Sequence, residues 1–255
     1  MNTESPRLGI ISALHQEQAG LIEAMEGPEI NRIGMRDYVT GSLWGADCVC
    51  VLSRIGKVAA AATVAILIER FKVSHIIFTG VAGSADVNVR VGDIVVAESL
   101  VQHDMNTTPL FPRFEIPLLG FSHFASDRYL TDRLVKAGNA FIELDFQNVI
   151  EISDRSILCL DTPRLYHGLI GSGDEFIHQQ SKIMELRNFL PDLLAVEMEG
   201  AAVAQVCFEF GLPFAVIRTI SDNANDNSSM DFVHFIDRVA AHYAFHIIKQ
   251  LCQGK

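Results

Sequence analysis

Residues 194–222 read LAVEMEGAAVAQVCFEFGLPFAVIRTISD. Leu194–Met198 is a short apolar run of the kind that forms a buried strand. Gly200–Phe210 is rich in alanine and valine and reads as a helix, which Gly211 closes as a C-terminal cap. Phe214–Ile220 is a second apolar run and a second core strand. Such alternation of short apolar runs with helical segments indicates an α/β protein. The polar residues of this stretch gather where strands end: Glu197 and Glu199 flank Met198, Arg218 lies inside the second strand, and Ser221 and Asp222 follow it. Carboxylates are rarely buried unless they are paired or working.

The same grammar extends in both directions. Leu8–Leu14 is a buried-type strand followed by a helical pattern over Gln16–Met25. Arg36–Ile55 reads as two or three antiparallel strands with a turn at Trp44–Asp47, and Lys57–Phe71 as a strong helix. Ser74–Thr79 is a strand that runs into a small-residue loop, Gly80–Ser84, and Asp93–Val101 is another strand. Asn106–Phe124 holds three prolines and reads as a long loop. Ser126–Gly138 is helical, Leu169–Gly173 ends a strand, and Phe176–Phe189 is loop then helix. Asp231–Leu251 forms the last helix. No repeat or low-complexity linker divides residues 1–255, which are expected to form a single domain. Leu14–Glu17, Thr79–Ser84, Gly171–Phe176, Glu197–Glu199 and Arg218–Asp222 all fall at the C-terminal ends of strands, where open α/β sheets bind ligands. They argue for one composite site.

Composition narrows the partners. A net charge of −11 without a basic stripe disfavours nucleic acid. The longest strongly apolar segment, Val58–Ile68, is too short to span a bilayer, and the N-terminus lacks the features of a signal peptide. The odd number of cysteines, with no C-x-x-C, reads as reduced thiols in a cytoplasmic protein. Hydrophobic residues make up 49% of the chain, enough for a large core and a buried subunit interface.

Among the candidate site residues, Glu17, Glu197, Glu199 and Asp222 are the carboxylates. Paired carboxylates serve glycosidic bond cleavage, one protonating the leaving group and the other activating water or stabilising the cation. Each also suits a helix start, where acids interact well with the dipole. Arg218, in a buried strand, needs an anion; Asp222 is near in sequence and Glu199 by strand adjacency, while Glu197 either points elsewhere or supports the site through Arg218. Gly80–Ser84 is small enough for a ligand to approach backbone N–H groups, but it is neither G-x-G-x-x-G nor a Walker loop. His242 and His246 are four apart without an accompanying H-E-x-x-H glutamate, and they read as packing residues rather than metal ligands. His103–Asp104 reads as a hydrogen-bonded pair supporting the loop after it.

The stretches GIISALHQEQ, SRIGKVAAA, FTGVAGSADVNVRVGDIVV, QHD, GSGDEFI, AVEMEGAAVAQVC and VIRTISDNA occur in this order from residue 9 to about residue 226. In this combination the chain resembles the nucleoside phosphorylase/nucleosidase family, and most closely its bacterial members that act on adenine thionucleosides. The resemblance implies a three-layer α/β/α sandwich with a mixed central sheet partly curled into a barrel, a homodimer, and no metal or organic cofactor. It implies hydrolysis of the N-glycosidic bond of 5'-methylthioadenosine and S-adenosylhomocysteine, releasing adenine. By position, Glu17 matches the glutamate that activates water. Asp222 matches the aspartate that protonates adenine N7, with Ser221 beside it. Glu199 matches the acceptor of the ribose hydroxyls, Met198 the residue packed on the sugar, and Arg218 the arginine near ribose and water. Phe176 matches the ring that stacks on adenine, Ile177 the backbone that binds its edge, and Ile55 the 5' pocket. Phe111, and after it Pro117, would reach the partner's 5' pocket from the long loop.

Three departures stand out. Val81 replaces a serine that touches ribose and water in many relatives, Arg54 replaces a common glycine, and the loop NTTPLFPRFEIPLLGF differs from the usual sequence. The readings left open are a purine nucleoside phosphorylase, a non-enzymatic ligand sensor on the same fold, and a nucleosidase of futalosine-type nucleosides or 5'-deoxyadenosine. Retention of Glu17, Glu199 and Asp222 weighs against the sensor. A glutamate at position 17 repels phosphate and weighs against phosphorolysis.

Overall fold

The computed structural model describes residues 6–225 and 228–254. Its centre is a ten-stranded mixed sheet. The strands are β1 (Leu8–Ser12), β2 (Glu26–Ile33), β3 (Arg36–Leu43), β4 (Ala46–Leu52), β5 (His75–Ser84), β6 (Ile94–Gln102), β7 (His123–Ala125), β8 (Leu165–Ser172), β9 (Leu193–Glu197) and β10 (Phe214–Asp222). They follow the order β10-β6-β8-β9-β5-β1-β4-β3-β2, with β7 beside β6. An additional pairing of β10 with β5 closes β5, β10, β6, β8 and β9 into a ring. This ring is the expected barrel, and β1, β4, β3 and β2 extend from it as an open arm.

Side chains alternate across the arm and the ring with the period of two that strands require. Ile11, Val49, Ile76 and Phe78 face one way, into a core shared with the helices α2 (Lys57–Phe71) and α7 (Gly200–Phe210). Ile10, Cys48, Cys50 and Ile77 face the other way, into a core with α3 (Arg128–Ala140) and α9 (Ala241–Gln253). Those helix layers on the two faces give the three-layer sandwich. The short helices α4 (Phe146–Val149) and α5 (Ile152–Ile157) follow α3, and a smaller cluster seats α6 (Gln180–Phe189) against Val101, Leu169 and Leu193. Asp127 caps α3 by accepting from the Leu130 N–H, and Gly211 ends α7 with φ 64°.

Besides the short β7, α4 and α5, which the sequence reading did not assign, the elements depart from it in four places. The helix expected over Gln16–Met25 is a single turn, α1 (His15–Gln18), after which the chain leads into β2. β2 itself was not anticipated. It is an edge strand exposed along almost its whole length, so it carries no apolar alternation to read. Gly80–Ser84 is not a loop but the last half of β5, paired to both β10 and β9. The last helix is divided into α8 (Ser228–Phe235), a π-turn at Ile236–Ala240 and α9.

Candidate active site

A cavity of about 310 Å³ opens where β1, β5, β9 and β10 end. Glu17, Val81, Ser221 and Asp222 form its floor with Met198 and Glu199, and Ile55, Phe176 and Ile177 line its walls. Ten of the residues singled out in the sequence, Glu197 among them, therefore converge on one place. Arg218 and Phe111 do not line it. Arg218 is buried behind the cavity, and Phe111 lies in the long loop that follows β6.

Glu17 reaches the floor because α1 turns immediately after β1. One carboxylate oxygen, Oε2, accepts from the backbone N–H groups of Ala13 (2.7 Å) and Leu14 (2.9 Å), and Oε1 accepts from the Val81 N–H at 3.1 Å. The path of β5 makes room for it: a Cβ on Gly80 would lie 2.9 Å from Glu17 Oε1. Burial raises the Glu17 pKa above the ordinary carboxylate value, with the Arg218 charge and the three N–H groups acting against the rise.

Asp222 stands at the end of β10. Its Oδ1 accepts from the Ala224 N–H at 2.9 Å, and the Ser221 hydroxyl donates to its Oδ2 at 2.9 Å. Gly83 is the second close approach, since a Cβ there would lie 3.0 Å from Asp222 Oδ1. The two carboxylates thus press against the same strand, β5, at two glycines three residues apart.

Glu199 sits where α7 begins. Its Oε1 accepts from the Gly56 N–H at 2.8 Å. Burial and the neighbouring Glu197 charge push its pKa up to about 8, against the Gly56 N–H and Arg218. Arg54, two residues before Gly56, adopts φ 70°, a left-handed conformation unusual for a side chain of this size, and donates to the Met35 carbonyl at 2.6 Å.

Glu197 has a different task. It accepts from the N–H groups of Glu199 and Gly200 and from the Ser172 hydroxyl, and its Oε2 lies 2.7 Å from Arg218 Nη2. The ion-pair partner of Arg218 is therefore Glu197, which supports the site through the arginine as one of its two expected placements had it, rather than Asp222 or Glu199, the acids near in sequence and by strand adjacency. Residues 197 and 199 lie either side of the bend at which β9 gives way to α7, and Glu197 folds back to cap the helix start. Arg218 also donates to the carbonyls of Phe78 and Ile217 and lies over the Phe78 ring at 4.0 Å.

Sequence reasoning missed Phe232, which also lines the cavity; Glu175 lines it too, within the Gly171–Phe176 segment expected there. Phe232 comes from α8 and meets Phe176 edge to face, with ring centroids 5.8 Å apart. Nothing local marks it, because one phenylalanine in a helix usually signals packing. Among the described residues, no group of three or more His, Cys, Asp and Glu side chains is arranged to hold a metal ion. His246 faces Asp145 at 3.5 Å. Asp104, expected to pair with His103, is instead bound by Lys57 at 2.6 Å.

Residues 7–253 match the model of the phosphorylase superfamily. The 5'-methylthioadenosine/S-adenosylhomocysteine nucleosidase of Shewanella halifaxensis is 34% identical over 247 residues, covering 97% of this chain and 99% of that protein. The nucleosidase of the same name from Neisseria meningitidis, solved with methylthio-immucillin-A, superposes with a TM-score of 0.86 at 31% identity, over 98% of this chain and 100% of that one. A futalosine hydrolase mutant of Helicobacter pylori gives a TM-score of 0.83 at 28% identity, covering 98% and 100% of the two chains. Similarity along nearly the whole length of each protein, at the identities found, makes this chain a member of the phosphorylase superfamily and, within it, of the 5'-methylthioadenosine/S-adenosylhomocysteine nucleosidases.

Proposed function

We propose that this protein hydrolyses the N-glycosidic bond of 5'-methylthioadenosine and S-adenosylhomocysteine, releasing adenine and the 5'-substituted ribose. The observation that carries the reading is the placement of two buried carboxylates, Glu17 and Asp222, on the floor of one cavity with Glu199 beside them. Asp222 protonates adenine N7, held by Ser221, and turns the base into a better leaving group. Glu17 takes a proton from the attacking water, a task suited to a carboxylate whose pKa burial has raised. Glu199 accepts the ribose hydroxyls, Met198 covers the sugar, Phe176 stacks on adenine and Ile177 binds its edge. Ile55, 54% exposed at the cavity mouth, contacts the 5' substituent.

Water rather than phosphate suits this site as nucleophile. Phosphorolysis needs donors for a dianion. The N–H groups of Ala13, Leu14 and Val81 already donate to the Glu17 carboxylate, and Arg218 is paired with Glu197. Val81 offers no hydroxyl.

The working form we propose is a cytoplasmic homodimer. Cys48, Cys50 and Cys207 are buried free thiols, which suits a reducing compartment. The loop carrying Phe111 exposes Leu110 and Leu118, and Val58 at the start of α2 is exposed too. A second copy covering these residues would bring Phe111 to its neighbour's 5' pocket. Adenine release across a panel of 5'-substituted adenosines, with and without phosphate, tests the activity. Release from 5'-methylthioadenosine independent of phosphate is expected, and formation of a ribose 1-phosphate would overturn hydrolysis.

A further inference from the structure

Lys57 opens α2 immediately after Ile55 and Gly56. Its ammonium donates to Asp104 Oδ1 at 2.6 Å and Gln102 Oε1 at 3.1 Å, and lies 3.8 Å from Asp174 Oδ2. Its backbone N–H donates to Asp174 Oδ1 at 3.0 Å, and the Asp174 N–H donates to Asp104 Oδ2 at 2.9 Å. The start of α2, the end of β6 and the segment after β8 are thus tied together at one cation. The Lys57 side chain is only 15% exposed, so this cation is largely held by protein rather than by water.

Two of the tied segments continue into the site. Gly56, one residue before Lys57, supplies the N–H that Glu199 accepts at 2.8 Å. Phe176 and Ile177 follow Asp174 by two and three residues and form a wall of the cavity. Burial works against the charge on Asp104, yet the bonds from Lys57 and the Asp174 N–H outweigh it and hold this carboxyl below its ordinary pKa. With the ammonium removed, two neighbouring carboxylates would face each other without a cation between them, and the segments that carry them would separate.

We infer that Lys57 is a positioning residue: through Asp104 and Asp174 it fixes the Gly56 N–H on Glu199 and sets the distance from that contact to the Phe176 wall. Its kinetic consequence rests on the nucleosidase reading above; its structural consequence does not. Besides the Gly56 N–H, Glu199 feels the charges of Glu197 from β9, Arg218 from β10 and Glu17 from α1. Lys57 acts on it through the Gly56 bond, because that bond favours the ionised carboxylate.

The test compares the full-length wild type with Lys57→Met, Lys57→Arg and Asp104→Asn. Amide exchange at Gly56 is followed by NMR without substrate, and adenine release from 5'-methylthioadenosine is measured against pH. Lys57→Met should accelerate Gly56 exchange and raise KM, each about tenfold or more, the scale of one hydrogen bond to a charged group. The rising limb of kcat/KM should move to higher pH, as Glu199 loses the donor that favours its ionised form. Lys57→Arg should restore part of each effect, and Asp104→Asn should reproduce the loss with a milder change at a partly exposed carboxylate. Unchanged Gly56 exchange in Lys57→Met, or in Asp104→Asn where the first variant does not fold, would overturn the inference. So would faster exchange with KM and pH profile unmoved. A wild type that releases no adenine would overturn the nucleosidase reading instead, while Gly56 exchange still decides the role of Lys57.

Discussion

Arg218 and Glu197 meet 2.7 Å apart in a place almost closed to solvent, one on β10 and the other at the end of β9. Each compensates a charge that burial would otherwise make very costly. Replacing Glu197 with Gln keeps the shape but leaves the guanidinium without its anion. Glu197→Gln should therefore destabilise the fold by roughly 3–5 kcal/mol. Pairing it with Arg218→Met should recover much of that loss, because neither charge then remains alone. Urea unfolding of the two single variants and the double variant measures the coupling. Simple additivity would show that the pair does not hold this part of the ring together.

Glu199 gives the protein a recognisable stability profile. Its folded-state pKa, about 8, lies above the 4.5 of an ordinary glutamate. Between those values the folded protein keeps a proton that the unfolded chain releases. The folded state then binds more protons, so stability falls as pH rises from about 4.5 to about 8. Glu17 is shifted in the same direction and adds to the slope. Glu199→Gln removes one contributor. It should flatten the decline and raise stability at pH 8 by a few kcal/mol, on the order set by linkage, while abolishing tight substrate binding. A decline as steep as in the wild type would show that Glu199 is ionised throughout.

The approach of β5 to Glu17 predicts a selective defect. A methyl group at position 80 would lie 2.9 Å from Glu17 Oε1, inside contact distance, and the carboxylate would have to shift. Gly80→Ala should cost less than about 3 kcal/mol of stability, as overpacking usually does. It should lower kcat by about 10²-fold, since an ångström-scale displacement of a catalytic group is felt at that level. Adenine binding, measured by calorimetry, should change little because Phe176 and Ile177 are not displaced. A loss confined to adenine affinity would place Glu17 outside the water-activating role.

Much of this was legible in the chain because apolar runs mark buried strands. β1, β4, β5, β6 and β10 all carry such runs, and α2 was bounded at the residues observed. The polar strand ends pointed to one cavity, and ten of the residues singled out line it. β2 was illegible for the converse reason, since an edge strand exposed on both faces needs no hydrophobic alternation. The second half of β5 misled because small residues suggest a loop. Here they are small so that Glu17 and Asp222 can press against a strand. The support of Glu197 for the site through Arg218 was one of two placements open to it, and the choice between them was not legible because the two residues lie 21 apart on strands that do not pair directly with each other. Phe232 left no trace, because it joins the cavity only through the placement of α8.

Asp222 offers the most direct test of the chemistry. Asn at this position keeps an amide oxygen to accept from the Ala224 N–H, and its NH₂ can donate to the Ser221 hydroxyl, which rotates to accept. Asp222→Asn should therefore fold with near-wild-type stability and retain the cavity. What it lacks is a proton to give to adenine N7, and loss of a general acid lowers a rate by about 10²–10⁴-fold. The fall should appear in kcat rather than KM, because the sugar and base contacts proposed for Glu199, Met198 and Phe176 remain. A substrate whose base leaves without protonation should lose far less rate in this variant. Unchanged adenine release from 5'-methylthioadenosine would remove Asp222 from the mechanism. Equal losses for both substrates would show that it orients the nucleoside rather than protonating the leaving group.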